Sequence, residues 1–262
     1  MKLVHSRQHG KLDSQRHDML AGFIAAKTKH PDTVDDTMVL RYTMTNIISG
    51  SDTTSIAMTS ILYNILKSPT VLTRLRAELD AANLTYPPDF RTASALPYLN
   101  AVIREGLRIH PVIGFSSERI VPPAGLHLPD GRRLPPGAVV AMSAWITHFD
   151  TEIYGVDAAD FRPERWLRGA NEDTHTFEER LAKMNRADLT FSVGPRACLG
   201  KHIGRLEIWE TVPTLVACFE MDLVESGSGV GFNSAFFVKF AGVDVKIRWR
   251  EGVDKEALMG TA

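Results

Sequence analysis

The stretch Phe191-Ser192-Val193-Gly194-Pro195-Arg196-Ala197-Cys198-Leu199-Gly200 is the most informative part of this chain. It places a cysteine at the start of a long predicted helix over about residues 199–219, where free N–H groups and the helix dipole favour a thiolate. A buried thiol of the core is the common alternative for a lone cysteine. Zinc is disfavoured because, apart from His202, no second Cys or His lies nearby at ligand spacing.

Four neighbours of this cysteine suit a flat ligand that carries carboxylates. Gly194 and Gly200 have no side chain, so such a ligand can approach the backbone closely. Phe191 can shield the sulfur from water, and Arg196 can bind a carboxylate through two hydrogen bonds. A shielded thiolate, a close backbone approach and a carboxylate receptor together fit axial ligation of a heme iron that bears propionates.

Length and composition indicate a soluble globular protein. The chain has 262 residues, of which 44% are hydrophobic and 23% charged, so a sizeable core is possible and disorder is excluded as the main state. The formal net charge of -1 gives no general attraction to nucleic acid or to an anionic membrane. Two cysteines make no disulfide framework, and no stretch approaches the ~20 apolar residues of a membrane helix.

Hydrophobic periodicity predicts a mainly α chain with small segregated β-sheets, an α+β protein. Near the C-terminus, Val243, Val245, Ile247 and Trp249 alternate with charged residues, which predicts a strand with one buried face. The predicted elements are a long central helix (about 36–67), a second helix (about 97–110), hairpins (about 118–143), the cysteine loop (191–200), a helix (about 199–219) and a C-terminal hairpin (about 230–250).

The pattern Phe-x-x-Gly-x-Arg-x-Cys-x-Gly resembles the heme-binding signature of the cytochrome P450 family, the heme-thiolate monooxygenases. The resemblance implies that heme b is the cofactor and that Cys198 is the axial ligand of its iron. It also implies a cofactor site made of Arg196 and Arg119, which would hold propionates, with Phe191, Gly194 and Gly200.

Two further motifs occur in the family's order. Glu105-Gly106-Leu107-Arg108 matches the family's Glu-x-x-Arg, and a spacing of three puts both charges on one helix face. Phe161-Arg162-Pro163-Glu164-Arg165-Trp166 resembles the family's Pro-Glu-Arg-Phe/Trp motif. The resemblance implies a buried structural triad of Glu105, Arg108 and Arg165, which pins the irregular segment that leads to the cysteine. The alternatives are an ordinary surface ion pair and a turn followed by a surface helix.

The central helix contains Ser49-Gly50-Ser51-Asp52-Thr53-Thr54, which is similar to the family's Ala/Gly-Gly-x-Asp/Glu-Thr-Thr/Ser except at Ser49. The Thr53 hydroxyl can bond the preceding turn and open the helix locally. The resemblance implies that Asp52 and Thr53 are catalytic and relay protons, whereas a solvated, kinked helix face would also explain the polarity. By the same resemblance, the substrate-facing residues are Asn46, Ile47, Ser49, Gly50, Val112, Ser116 and Phe236.

The match runs from about residue 36 to residue 250 but resembles only the C-terminal half of the family domain, so residues 1–262 are interpreted as one partial domain. The implied reaction inserts one atom of dioxygen into a small organic substrate, with electrons ultimately from NADPH through a flavoprotein reductase. Lys183, Arg186, Lys201 and Arg205 could form a basic face for that reductase. The alternatives are an inactive truncated fragment with a binding role or none, and a heme-thiolate isomerase or dehydratase that does not use dioxygen.

The residues of the motifs are most similar to those of fungal family members that act on aromatic compounds and secondary metabolites. No nucleic-acid partner and no membrane span are expected in this chain. The expected location is therefore cytosolic for the chain as written, and the cytosolic face of the endoplasmic reticulum membrane for full-length relatives.

Overall fold

A computed structural model gives the structure of residues 17–224 and 230–253, which divide into two compact units between Thr53 and Thr54. The predicted partial domain also includes residues 1–16, 225–229 and 254–262, which lie outside the described part. Helix α1 is Met19–Lys29, and helix α2, Asp36–Lys67, runs from the first unit into the second. In the first unit, the Asp35 carboxylate accepts a hydrogen bond from the Met38 amide (2.8 Å) and so caps the start of α2.

The second unit holds the rest of α2 and a series of further helices. They are α3 (Pro69–Ala82), α4 (Phe90–Ser94), α5 (Pro97–Ile109), α6 (Ala144–Thr147), α7 (Thr151–Tyr154), α8 (Thr174–Ala187) and α9 (Lys201–Cys218), with 3-10 turns at Pro163–Trp166 and Gly194–Arg196. Helix α5 begins with a proline in its first turn, where no amide donor is missed. The Glu78 carboxylate accepts hydrogen bonds from the free amides of Tyr98 (2.8 Å) and Leu99 (2.7 Å), which stabilises that helix end.

The strands of the described residues pair into small antiparallel sheets. They are β1 (Ser117–Ile120) with β4 (Val139–Met142), β2 (Leu126–His127) with β3 (Arg133–Leu134), β5 (Phe219–Val224) with β8 (Asp244–Trp249), and β6 (Gly231–Ser234) with β7 (Val238–Ala241). Ser117 lies opposite Met142, and Phe219 lies opposite Trp249. The predicted class, mainly α with small segregated sheets, is confirmed.

The C-terminal strands differ from the prediction in two ways. The single hairpin expected over about 230–250 is a short β6–β7 hairpin followed by β8, which pairs with β5 instead. The alternating residues of β8 predicted one buried face, yet Val245 and Ile247 are 40% and 56% exposed. A two-stranded ribbon buries a face only where another layer covers it, and alternation in the sequence does not supply that layer.

The core of the second unit lies where the C-terminal half of α2 packs with α3, α5 and α9. Helix α5 has an apolar stripe that is buried throughout, as a strongly one-sided helix requires: Tyr98, Leu99, Val102, Ile103, Gly106 and Leu107. The fully buried aliphatic residues of this core include Ile61, Ile65, Leu75, Leu79, Leu99, Ile103 and Val212.

Gly106 marks the closest approach of α5 to α2. An added Cβ would lie 2.6 Å from Ile61 Cγ1 and 2.9 Å from Ile61 Cα, and the Ser60 hydroxyl donates to the Gly106 carbonyl at 2.8 Å. We expect Gly106→Ala to lower the free energy of unfolding by about 1–3 kcal/mol, because the helices must move apart. Urea denaturation measures this change.

The matched control is Gly22→Ala in α1, where nothing lies within 4 Å of the added Cβ. Alanine is the better helix former, so this variant should not be destabilised. Equal stability of Gly106→Ala and the unaltered chain would contradict the close approach of α5 to α2.

Candidate functional site

Cys198 lies in a loop that leads from the 3-10 turn at Gly194–Arg196 into α9. The Cys198 amide donates to the Phe191 carbonyl (2.8 Å) and closes the loop. Helix α9 begins at Lys201 with Gly200 as its N-cap, two residues later than the sequence predicted. The cysteine therefore precedes the helix cap, close to the N-terminal amides of α9.

The two cysteines have opposite environments. Cys198 is exposed, whereas Cys218 is buried at the end of α9, and burial raises the pKa of the Cys218 thiol. The core-thiol alternative thus describes Cys218 and does not describe Cys198. The shielding of Cys198 by Phe191 that the sequence suggested is not seen, since the Phe191 ring reaches toward α9 and Cys198 remains accessible.

The surface around Cys198 suits a flat, largely apolar ligand. Gly194 has a φ of 69°, a left-handed conformation that favours glycine, and a Cβ at Gly200 would lie 4.0 Å from the Cys198 sulfur. Leu199 is 99% exposed, with Val193 and Ile203 also exposed nearby in the chain. Accessible apolar side chains beside a soft sulfur donor fit an iron porphyrin bound through thiolate.

Gly204 of α9 is a site residue that the motifs did not single out. Its added Cβ would lie 3.8 Å from the Thr54 hydroxyl oxygen and 4.0 Å from the Phe191 ring. Within the second unit, the first part of α9 therefore packs between α2 and the cysteine loop. A glycine inside an otherwise good helix was the available signal, because such a glycine is costly unless packing requires it.

The two arginines assigned to propionates lie on different elements. Arg196 is exposed at the end of its 3-10 turn, in the same loop as the cysteine. Arg119 is half-buried on β1 opposite Val140, and its guanidinium donates to the Glu118 carbonyl at 2.7 Å. Both side chains belong to the second unit.

The structure brings Glu105, Arg108 and Arg165 together in a buried cluster. Glu105 is 0% exposed, and its carboxylate accepts from Arg108 Nη2 (2.7 Å), Arg108 Nε (2.9 Å) and Arg165 Nε (2.8 Å). It also accepts from the Trp166 indole (2.9 Å) and the Arg162 amide (3.0 Å), two donors that the triad motif does not include. A buried carboxylate with this many donors is satisfied despite its desolvation.

Most of the remaining donors of the two buried arginines bind backbone carbonyls of the segment before Pro163–Trp166, and Arg165 also binds the Asp157 carboxylate at 3.2 Å. Arg108 donates to the carbonyls of His148 (2.7 Å) and Ala158 (2.8 Å), and Arg165 donates to the Asp157 carbonyl (2.9 Å). Burial alone would raise the pKa of the Asp157 carboxyl, but the adjacent Arg165 and Arg162 lower it. The cluster therefore fastens an irregular stretch of chain that has few regular backbone bonds of its own.

The polar motif of α2 lies at the end of the first unit, except for Thr54, which begins the second. Thr53 Oγ1 donates to the Ser49 carbonyl at 2.7 Å, and Asp52 is half-buried. Helix α2 is nevertheless α-helical throughout, so the local opening suggested by the sequence is not seen. Of the substrate-facing residues expected here, Asn46, Ile47, Ser49 and Gly50 are all exposed.

The residues of the second unit that were expected to face a substrate lie on two segments in contact. The Val238 amide donates to the Val112 carbonyl (2.9 Å), and the Gly114 amide donates to the Phe236 carbonyl (2.9 Å). Phe236 is 51% exposed and meets the Phe115 ring edge-on, with the centroids 5.7 Å apart. Ser116 follows in the chain and is also exposed. Val112 and Phe236 are thus brought together.

An α+β fold with a braced cysteine loop before a long helix fits the heme-thiolate class of protein that the motifs resemble. The family model described as Cytochrome P450 matches residues 1–236, and the chain belongs to this family. It is 40% identical over 92% of its length to the cytochrome P450 monooxygenase cfoH of Aspergillus candidus. It is 37% identical over 96% of its length to the monooxygenase vrtE of Penicillium aethiopicum.

A solved structure is also similar to this chain. The crystal structure of a cytochrome P450 (CYP102L1) has a TM-score of 0.73 and 25% sequence identity, covering 95% of this chain and 54% of that one. The chain spans 45% of the Aspergillus candidus relative and 48% of the Penicillium aethiopicum one, about half their length. Within residues 17–224 and 230–253, no helix combines the length and apolar character needed to cross a bilayer.

Proposed function

We propose that this chain is the C-terminal part of a heme-thiolate monooxygenase that inserts one atom of dioxygen into a small organic substrate. The observation that carries the proposal is the exposed Cys198, held in a closed loop before α9, in a chain that also contains a fully bonded Glu105–Arg108–Arg165 cluster. The names of the fungal relatives support the same activity. Both relatives come from fungi, and a role of this chain in fungal secondary metabolism would be consistent with their names.

The cofactor would be heme b, which supplies the chemistry of dioxygen activation when it is bound through a thiolate. Cys198 would hold the iron, and Arg196 with Arg119 would hold the propionates through charge-assisted hydrogen bonds. The backbone at Gly194 and Gly200 would let the ring lie close to the loop.

Asp52 and Thr53 would relay protons during oxygen activation. The Thr53 hydroxyl proton is engaged by the Ser49 carbonyl at 2.7 Å, so the lone pairs of its oxygen remain to accept a hydrogen bond from the substrate side. The carboxylate of Asp52, one residue earlier, would be the acid–base group of this pair.

Replacing Thr53 by alanine tests the relay and separates the oxygen-dependent reaction from an isomerase or dehydratase. In a reconstituted enzyme, we expect Thr53→Ala to lower the amount of product formed per dioxygen consumed severalfold. Without the hydroxyl, protons would no longer be delivered in an ordered way, so dioxygen would be consumed without forming product. Thr53→Ser keeps the hydroxyl and should behave like the unaltered protein. Measurements of oxygen uptake against product check this, and an unchanged ratio in Thr53→Ala would refute the relay.

Electrons would come ultimately from NADPH through a flavoprotein reductase that docks on a basic face. Lys201 and Arg205 are both exposed on the first turns of α9, and the Arg205 guanidinium stacks over Trp209 at 5.2 Å. Lys183 and Arg186 on α8 are exposed as well. Opposite charges would steer an acidic reductase to this side of the cysteine loop.

Charge reversal tests the docking face. We expect Lys201→Glu with Arg205→Glu to slow reduction by the reductase, with the largest difference at low ionic strength, where surface charges are screened least. Lys29→Glu at the end of α1 is the control and should leave the rate unchanged. Stopped-flow reduction gives both rates, and equal rates for the two variants would count against the basic face.

The exposed apolar surface supports the alternative that this chain is inactive by itself. Several large apolar side chains of the second unit are more than half exposed: Phe115, Ile120, Val139, Met142 and Ile146. Such a surface promotes association or partner binding. The amount of heme retained per chain separates the two functions, because an inactive fragment would hold substantially less than one heme.

A further inference from the structure

His148 is a buried histidine that belongs to none of the motifs of the site. It lies at the C-terminal end of α6 and is 0% exposed. Its Nε2 is 2.8 Å from the Leu189 amide nitrogen, and its Nδ1 is 3.0 Å from the Arg108 carbonyl oxygen. An amide can only donate, so Nε2 accepts, and the proton of the neutral ring must be on Nδ1, where it is donated to Arg108.

The surroundings of the ring favour this neutral state. Burial lowers the pKa of His148, opposed by the Asp188 carboxylate, which lies 3.8 Å from Nε2. The other charged groups that face the ring are Arg108 and Glu105, and the Tyr154 ring meets it edge-on. A protonated ring would present an N–H to the Leu189 N–H and break that bond, so only the neutral form supports the observed arrangement.

On one side, His148 is joined firmly to the buried charge cluster. The Arg108 guanidinium donates to the His148 carbonyl at 2.7 Å, while the His148 ring donates to the Arg108 carbonyl. The same guanidinium binds the Glu105 carboxylate through two nitrogens. These reciprocal bonds fix the ring relative to the cluster.

On the other side, His148 reaches the base of the cysteine loop. Leu189, whose amide it accepts from, in turn accepts a hydrogen bond from the Ser192 amide at 3.0 Å. The neighbouring Phe191 carbonyl then accepts from the Cys198 amide at 2.8 Å. A short path of hydrogen bonds and covalent bonds therefore runs from Arg108 through His148 to Cys198.

We propose that His148 is a positioning residue that fixes the base of the cysteine loop at Leu189 onto the Glu105–Arg108–Arg165 cluster and thereby orients Cys198. Its consequence for the cofactor rests on the proposed function, but the coupling of the ring to the loop does not. The buried cluster then acts on the iron ligand through one side chain, in addition to its contacts with residues 154–166.

Two variants separate the hydrogen bond at Nε2 of the His148 ring from the one at Nδ1. His148→Gln keeps an acceptor near the position of Nε2 and can still bind the Leu189 amide, whereas His148→Asn keeps a donor near Nδ1 but is too short to reach Leu189. In the chain without cofactor, we expect His148→Asn to raise the rate of hydrogen exchange of the Leu189 amide roughly tenfold, the loss of about one hydrogen bond. His148→Gln should restore most of the protection.

His110→Asn is the matched control. His110 is 3% exposed, and its Nε2 lies 2.7 Å from the Val238 carbonyl oxygen, away from the path to Cys198. This variant should leave the exchange of Leu189 unchanged. Equal acceleration in His110→Asn and His148→Asn, or no acceleration in His148→Asn, would overturn the proposal.

A measurement on the unaltered chain needs no variant to fold. Nitrogen NMR of the His148 ring should show the tautomer protonated at Nδ1, and a ring protonated at Nε2 would overturn the proposal directly. With heme added, His148→Asn should increase the fraction of the carbon-monoxide complex that lacks the thiolate-type band, and His148→Gln should reverse the increase. Failure of every variant to bind heme would count against the proposed function, while the exchange and NMR results would still decide the positioning role.

Discussion

Replacing Cys198 by serine should abolish the thiolate-type absorption of the reduced, carbon-monoxide-bound chain and any oxygen-inserting activity with it. A serine hydroxyl stays protonated near neutral pH and is a poor ligand for heme iron, whereas a thiolate binds it and favours O–O cleavage. The exposed position of Cys198 before α9 is the only location among the described residues where this chain presents a cysteine to a ligand. Absorption spectra of purified protein with added heme measure the change.

The control is Cys218→Ser, in the other cysteine of the chain. Cys218 is 1% exposed in the core at the end of α9, so its replacement costs stability but should leave the thiolate-type band in place. A thiolate-type band that survives in Cys198→Ser and disappears in Cys218→Ser would refute the assignment of the iron ligand.

Removing the Glu105 carboxylate should have the largest effect on stability. Glu105→Ala would remove the carboxylate that Arg108 binds and leave Arg165 with only the Asp157 carboxylate, although both arginines are at most 2% exposed. Breaking a buried ion pair by deleting one partner costs about 3–5 kcal/mol, much of the total stability of a typical domain. We therefore expect Glu105→Ala to be largely unfolded at moderate urea concentrations, as measured by circular dichroism.

Asp130→Asn gives the matched control for the loss of one carboxylate. Asp130 pairs with Arg132 at 2.6 Å, but both side chains are at least half exposed. Water replaces such a partner readily, so little change in the denaturation midpoint is expected. Equal midpoints for Glu105→Ala and the unaltered chain would show that the buried cluster does not stabilise the fold.

Elements with strong local signals could be predicted closely from the sequence. Helix α5 runs Pro97–Ile109 against a prediction of about 97–110, because a proline start, a one-sided apolar stripe and a following His110-Pro111 all act within the same few residues. Helix α2 runs Asp36–Lys67 against about 36–67 for similar reasons. In both cases local propensity and burial favour the same structure.

Features that depend on distant partners could not be predicted in the same way. The exposure of β8 depends on what covers it, and alternation alone does not reveal this. His148 is the clearest case, since its ring binds backbone groups of Arg108 and Leu189, which are 40 and 41 positions away. Backbone partners leave no side-chain pattern in one sequence, so a single histidine between Thr147 and Phe149 carried no signal.

The site is intermediate between these two cases. The order of the motifs predicted that Arg165 would contact Glu105, 60 positions away in the sequence. In the structure, Arg165 Nε lies 2.8 Å from Glu105 Oε1. The order of the motifs could not predict that the Trp166 indole and the Arg162 amide bind the same carboxylate. The closeness of Phe191 to Cys198 in the sequence also predicted a shielded sulfur. In the structure, the Phe191 ring reaches toward Gly204 instead.

The central claim is that Cys198 of this chain ligates heme iron as a thiolate. The most direct measurement is the absorption spectrum of the reduced, carbon-monoxide-bound chain after reconstitution with heme and gel filtration. We predict that the heme elutes with the protein and that the protein fraction shows a red-shifted Soret band of the thiolate type. Loss of heme on the column, or only the band of a protonated or displaced thiol, would contradict the claim.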